Sequence, residues 1–347
     1  MAHNSLACFA FCLLTITSGA RATEFSLVRE GQAASCIVLP EGAGPVERHA
    51  AGELALFLEK VTGAAVPIGD APSKGLYPVY LGTAGAKSGP RSAAIDSAVS
   101  QLQDDGFVLA ADADGLRIIA NKPIGVLYGV YEVLKRQADL RWFAPGAEFE
   151  YCPKKPSVSV PGQVTVVNPS FPFRMLYFYC CHTDSKTIDS WVWYVRNGYN
   201  LAVHKNLFKS YPGEMEKRGA EVLQGASFNT LLGYDRLFDD HPEYYGLFDG
   251  KRLKMEGEKR QPCTTHPDVA AIMADSIKAV MDRPPDGGGC LIYNNDSTAW
   301  CRCKHCARLD PPDEQQKGFV GTRHFTLINQ LAGRVEQSRP GAKLWTL

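Results

Sequence analysis

Apolar residues recur along this chain at two spacings, and the spacing separates helices from strands. Between Pro45 and Val61, the residues Val46, Ala50, Leu54, Phe57 and Val61 return every three or four positions, which puts them on one face of a helix. Gly63, just past the end, is a stop signal. A second helix opens at Pro123, runs through Leu127, Tyr131 and Leu134, and closes on Lys135 and Arg136, where positive charge complements the helix dipole. Shorter runs at Phe25–Val28, Cys36–Leu39, Tyr77–Leu81 and Leu140–Phe143 read as strands. Phe107–Ala110 and Leu116–Ala120 read as a hairpin turned by Asp112-Ala113-Asp114-Gly115. Together they predict a small α/β sandwich domain over residues 23–167.

The Pro- and Lys-containing stretch Cys152–Gly162 reads as a linker or edge element, and Asn168-Pro169-Ser170-Phe171-Pro172 as a domain boundary. Beyond it strand and helix alternate. Strands are expected at Arg174–Tyr179, Asn200–His204, Ala226–Leu231, Cys290–Tyr293 and Lys343–Leu347. Helices are expected at Thr187–Asn197, Pro267–Met281 and His324–Gln337, with a helical region at Asp240–Gly246. Such alternation predicts a parallel sheet. A (β/α)8 barrel takes eight strands and about 250 residues, yet only 177 residues follow Ser170. Residues 168–347 therefore read as an incomplete (β/α)8 TIM-type barrel, and the apolar Leu344-Trp345-Thr346-Leu347 as a buried strand of a truncated product. The other reading is a complete five-stranded α/β domain.

Residues Leu6–Thr17 form an apolar run too short to cross a bilayer. Ala20-Arg21-Ala22 after it suits signal peptidase, so residues 1–22 read as a signal peptide, despite an n-region with His3 and no Lys or Arg. That places the mature chain outside the cytoplasm, secreted or periplasmic, with no membrane segment left. The 37 basic residues balance the 37 acidic ones, so the long-range field that nucleic acid binding uses is missing. Nucleic acid is not an expected partner.

Two of the 11 cysteines, Cys8 and Cys12, fall in the leader, and the nine that remain cannot all pair internally. Cys301, Cys303 and Cys306 lie within six residues, and Cys263 offers a fourth thiol from a neighbouring loop. Four thiolates fill a tetrahedral zinc shell and leave no open position, which makes a structural site. Export favours disulfides instead. Spacing argues for zinc, compartment for disulfides, and both readings stand. His305 reads as an exposed neighbour of this cluster.

In parallel barrels the reactive groups gather at the C-terminal ends of strands. Asn295-Asp296 falls there, after the fourth strand. Asp296 can serve as a general acid with Asn295 binding a sugar hydroxyl, or it can cap the turn that follows. Arg174, His204 and Asn206 lie at other strand ends as candidate substrate contacts. An arginine there more often pairs with a protein carboxylate than with a uronic acid. Trp191, Trp193 and Tyr194 lie on a helix and read mostly as core. Asp239-Asp240-His241-Pro242-Glu243 reads more simply as a helix start than as a cleft border.

Ala51-Gly52-Glu53-Leu54-Ala55-Leu56-Phe57-Leu58, Val61-Thr62-Gly63, Asp105-Gly106-Phe107 and Gly125–Glu132 resemble the small N-terminal domain of alpha-glucuronidases and beta-hexosaminidases. His241–Tyr245, Pro262-Cys263, Asn295-Asp296 and the Cys301–Cys306 cluster resemble an uncharacterised bacterial glycosidase-like barrel domain. The resemblance implies an exported carbohydrate-active protein, with Asp296 where many glycosidase barrels keep their proton donor. The second carboxylate of such a pair is expected on a later strand, outside this sequence. The expected function is a glycoside hydrolase acting on polysaccharide or oligosaccharide, including uronic-acid-containing chains. The alternative is a non-catalytic carbohydrate-binding or scaffold protein stiffened by zinc or disulfides.

Overall fold

The computed structural model describes residues 23–86, 88–175, 185–202, 211–219, 221–222, 224–282 and 289–346. The expected leader, with Cys8 and Cys12, lies outside them.

In the first half the elements are β1 (Glu24–Arg29), β2 (Ser35–Val38), α1 (Pro45–Thr62), β3 (Ile68–Gly69), β4 (Tyr77–Thr83), α2 (Ala93–Val99), β5 (Phe107–Asp112), β6 (Gly115–Ala120), α3 (Pro123–Gln137), β7 (Val158–Pro161) and β8 (Val164–Val167). Six strands make one sheet in the order β8-β5-β6-β4-β2-β3. β3, β2, β4 and β6 run parallel, whereas β5 and β8 run antiparallel to their neighbours. α1 ends where the sequence says it must: Gly63 adopts φ 80° and its N–H returns to the Glu59 carbonyl.

One face of the sheet carries Val79, Leu81 and Ile118 under Leu54 and Phe57 of α1 and Leu127 and Tyr131 of α3, all buried. The other face packs Val108, Ala110 and Ile119 under Ile95 and Ala98 of α2. α3 lies so close to β6 that a Cβ on Gly129 would stand 2.3 Å from Ile118 Cγ2. Only glycine fits there. The Cys152–Gly162 stretch is an edge element: β7 pairs antiparallel with β1, Glu24 facing Pro161.

The second half contains α4 (Ser185–Arg196), β9 (Leu201–Ala202), β10 (Glu221–Val222), β11 (Gln224–Ser227), α5 (Phe228–Leu231), α6 (Pro267–Met281), β12 (Gly289–Tyr293), α7 (Gly321–Ser338) and β13 (Lys343–Thr346). Met175 bridges Leu201 in parallel, β9 pairs with β10, β11 with β12, and β12 with β13. Every one of these pairings is parallel. Since β10 and β11 are near-continuous, five strand positions stand side by side in chain order, with α6 and α7 packed on them through Met273, Ile277, Leu327 and Leu331. That is mixed α/β structure in a β/α order, and no closed barrel is formed among the described residues.

Two expectations shift. The strand expected over Ala226–Leu231 stops at Ser227, whose hydroxyl accepts from Thr230 N and starts the one-turn α5. The helical region at Asp240–Gly246 shrinks to a 3-10 turn at Pro242–Tyr244. Leu176–Tyr179 and His204 of the expected strands lie outside the described residues.

The sequence boundary near residue 168 is not a break in packing. Trp191 and Val195 of α4, together with Met215, are buried in the core of the first half. Trp193 Nε1 donates to the Trp142 carbonyl at 2.8 Å and Tyr128 OH to the Tyr199 carbonyl at 2.9 Å. Arg196 reaches back to Glu53 at 3.0 Å.

Candidate metal centre and strand-end rim

Cys301, Cys303 and Cys306 sit in the loop after β12, and Cys263 in the loop before α6. Cys303 caps a one-turn helix, its sulfur accepting from Cys306 N, while Cys263 N donates to the Tyr244 carbonyl at 2.9 Å. These backbone anchors bring all four sulfurs within 4.8 Å of one another, every one of them buried. Cys263 Sγ lies 3.8 Å from both Cys303 Sγ and Cys306 Sγ. A disulfide would need about 2.05 Å, and the four thiols are free. A tetrahedron with Zn–S bonds of about 2.3 Å has sulfur–sulfur edges of about 3.8 Å. The cluster therefore has the geometry to hold a metal.

Hydrogen-bonding groups surround the sulfurs. Leu247 N lies 3.3 Å from Cys301 Sγ, Arg252 Nη1 3.7 Å from the same atom, and Thr265 Oγ1 3.2 Å from Cys306 Sγ. Hydrogen bonds from the Cys301 and Cys306 thiols, with help from Arg252, pull Cys263 well below the usual thiol range. Cys301, sharing its proton with Cys263, is pushed up. His305 is exposed beside the cluster, as the sequence indicates.

Five residues before Cys301, the chain leaves β12 through Asn294, Asn295 and Asp296. The sequence points to Asn295 as a substrate contact, and the structure corrects that expectation. Its side chain is fully buried; Oδ1 accepts from Asn229 N at 2.7 Å and Nδ2 donates to the Arg260 carbonyl at 2.6 Å. Gln261 completes the lock, its Nε2 donating to the Asn295 carbonyl and its Oε1 accepting from Asn295 N. No edge of this amide remains for a sugar; it joins three strand-end loops instead.

Asp296 is exposed at the rim that Asn295 builds. Its backbone N–H points to Glu258 Oε2 at 3.4 Å. The turn that follows is closed by Ser297, whose Oγ accepts from Ala299 N at 3.0 Å and donates to the Lys259 carbonyl. Capping therefore falls to Ser297, and the Asp296 carboxylate is free of that task.

Arg174 also departs from the expected substrate role. Its Nη2 meets Asp105 Oδ2 at 2.5 Å and its Nε donates to the Gly198 carbonyl at 2.6 Å, so it pairs with a protein carboxylate of the first half. His204 and Asn206 lie outside the described residues. Asp239 to Pro242 are exposed, whereas Tyr245 is buried with its hydroxyl on the Tyr234 carbonyl, and His241 stacks on Tyr244 with ring centroids 4.7 Å apart.

Sequence reasoning missed four residues at or near the rim: Asn229, Glu258, Trp300 and His324. His324 Nε2 lies 3.3 Å from Thr346 Oγ1, at the end of β13, while Phe228 stacks on its ring and Trp300 meets it edge-on. Its Nδ1 and the Asn229 Oδ1 are buried without a partner, and burial lowers the His324 pKa. Asn229 could have been found from its place just past a strand end. Trp300 lies in the Asp296 loop, just before Cys301, whereas Glu258 and His324 arrive from a distant loop and helix that no local pattern connects.

A mixed α/β protein of two interlocked halves, with a buried thiol cluster beneath a strand-end rim, is the class that this geometry defines. A domain of unknown function, DUF4838, matches residues 144–347, and the chain belongs to that family. Residues 26–133 match the glycosyl hydrolase family 67 N-terminus. No curated protein matches the chain. Among solved structures it is similar to a family GH115 4-O-methyl-alpha-glucuronidase with specificity for decorated arabinogalactans, at 17% identity and TM-score 0.46, covering 92% of this chain and 42% of that one. It is also similar to the GH20 beta-N-acetylhexosaminidase of Streptomyces coelicolor A3(2), at 16% identity and TM-score 0.48, covering 94% and 63%. A third is CpGH84B, at 14% and 0.46, covering 93% and 47%. The chain thus spans 42 to 63% of the length of these structures.

Proposed function

We propose that this is an exported glycoside hydrolase-like protein that acts on polysaccharide or oligosaccharide. The observation that carries the reading is Asp296: an exposed carboxylate, relieved of capping by Ser297, at the C-terminal end of a parallel strand. The family 67 match over residues 26–133 supports the same class. Asp296 protonates the glycosidic oxygen as general acid. Arg174 gives a uronic acid no special hold, because Asp105 already occupies it.

In this reading residues 1–22 are a cleaved leader, residues 23–167 a non-catalytic domain and residues 168–347 barrel units. The four cysteines bind one structural zinc that pins the loop after Asp296 and supplies no catalytic step. The test is hydrolysis of plant and algal oligosaccharides, neutral and uronic, by the full-length protein and its Asp296→Asn form. A loss of about 10²–10⁴-fold in kcat with unchanged melting supports the assignment. Unchanged turnover removes Asp296 from it.

A further inference from the structure

A two-stranded ribbon, Arg141–Trp142 paired antiparallel with Glu150–Tyr151, packs on the first-half core with an apolar outer face. Alternation turns Trp142 and Glu150 inward, where both side chains are covered. Trp142 meets Phe57 and Tyr131 edge-on, with ring centroids 5.3 Å apart in each case, and its Nε1 donates to Glu150 Oε2 at 3.3 Å. The outward positions form two cross-strand pairs: Arg141 stands opposite Tyr151, and Phe143 N donates to the Phe149 carbonyl at 3.1 Å. Outward positions of an antiparallel pair are ordinarily polar. Here three of the four are aromatic, with Phe143 69% exposed, Tyr151 52% and Phe149 47%. The Phe143 and Tyr151 rings lie 6.5 Å apart and are tilted by 46°, so neither covers the other. Exposed apolar surface gathered in one place marks an interaction site.

The charges beside these rings say what kind of partner fits. Lys60 is paired with Glu150, Lys155 with Asp139 and Arg136 with Glu132. Arg141 is exposed in line with Phe143, and among the described residues it bonds only the Lys135 and Leu140 carbonyls, both through Nη1. Its Nε and Nη2 are left for a side-on grip of a carboxylate. Lys154, three residues past Tyr151 and exposed, bonds only the Lys60 carbonyl among the described residues. Against these two cations stands Glu148, the single exposed carboxylate of the ribbon. We infer that the outer face of this ribbon holds an acidic polysaccharide chain, with sugar rings on Phe143, Phe149 and Tyr151 and uronate carboxylates on Arg141 and Lys154. The inference rests on the carbohydrate reading above and adds where a uronate-bearing chain is gripped, since Arg174 is spent on Asp105. A sugar ring turns C–H groups outward on its faces, which suits the electron-rich face of an open aromatic ring. Trp142 anchors the ribbon from beneath, so the platform is formed before the chain arrives and little ordering cost opposes binding.

The full chain is run on native gels cast with polygalacturonate, with dextran as a neutral glycan and polyglutamate as an acidic chain without sugar rings. Polygalacturonate is expected to retard the wild type and Asp296→Asn equally, and less as salt is raised. Dextran and polyglutamate should leave migration unchanged. Phe143→Ala with Tyr151→Ala should weaken the retardation by roughly tenfold, and Arg141→Gln with Lys154→Gln should remove the preference for polygalacturonate over dextran. All four side chains are exposed, and melting curves of both double variants show that lost binding is not lost folding. Four results would overturn the proposal: no retardation by polygalacturonate, dextran or polyglutamate bound as well, retardation unmoved by the aromatic variant, or self-association of the protein that the aromatic variant abolishes, which would assign the face to a second copy. Retardation without any hydrolysis would remove the Asp296 assignment and leave this one standing.

Discussion

Asp105 and Arg174 form a two-pronged ion pair across the two halves of the molecule. Nη1 meets Oδ1 at 3.3 Å and Nη2 meets Oδ2 at 2.5 Å, with the aspartate only 2% exposed. Asn200 Nδ2 adds a third donor to the same carboxylate at 3.2 Å. A pair this dry contributes little net stability while intact, but removing one partner strands a buried charge. Arg174→Met, which strands the buried aspartate with Asn200 alone, is expected to destabilise the protein by about 3–5 kcal/mol in denaturant titrations. Asp105→Ala should cost less, because the remaining arginine is 21% exposed and keeps the Gly198 and Phe171 carbonyls. The double variant should cost less than the sum of the two, and strict additivity would show that the pair is not coupled.

If the four cysteines hold a metal, its loss should be felt as loss of structure. Purified protein is expected to carry about one zinc per chain by elemental analysis, and Cys306→Ser to reduce that content sharply. Chelation should lower the melting temperature of the wild type and leave Cys306→Ser unmoved. Zinc-free protein with the same melting temperature would mean that the thiols need no ion.

His49 makes stability depend on pH. Burial, reinforced by the charge of Arg218, lowers its pKa to about 4 from 6.5, and its Nε2 is buried without a partner. The folded protein therefore keeps His49 neutral where the unfolded chain takes up a proton. Stability should be complete above about pH 6.5 and fall as the pH drops toward 4, by on the order of 2–3 kcal/mol. Melting curves between pH 7 and 4.5 would measure it. His49→Gln should flatten that slope, and an unchanged slope would assign the effect to other groups.

Asn295→Leu tests the rim's support without touching Asp296. It leaves Asn229 N and the Arg260 carbonyl without partners, at an expected cost of about 2–4 kcal/mol from unsatisfied buried groups. If the rim reading holds, any glycosidase activity should fall with it even below the melting range. Intact stability would mean that the loops hold one another by other contacts.

Much of the fold is legible in the sequence because it rests on local pattern. The α1 and α3 faces, the Asp112–Gly115 hairpin turn and the α6 span all follow from spacing and cap residues. What escapes such reading is non-local. Nothing near Trp191 announces that it joins the core of the first half. Asn295 misleads because a polar residue at a strand end looks the same whether it faces solvent or locks Gln261 and Asn229 in place. The cysteine quartet lies between the two cases: its members are evident from spacing, but the 3.8 Å separations that suit a metal are not.

The pairing of β1 with β7 constrains the order of events during synthesis. Glu24 finds Pro161 and Phe25 finds Val160, so although β1 pairs locally with Gln32–Ala33 on one edge, its other edge must wait for most of the first half to leave the ribosome. Until then its backbone is an open edge, available to other nascent chains. Trp191 and Met215, which complete the same core, emerge later still. The first half is thus built to close late, and a pause in translation before residue 161 would leave it waiting with that edge unpaired.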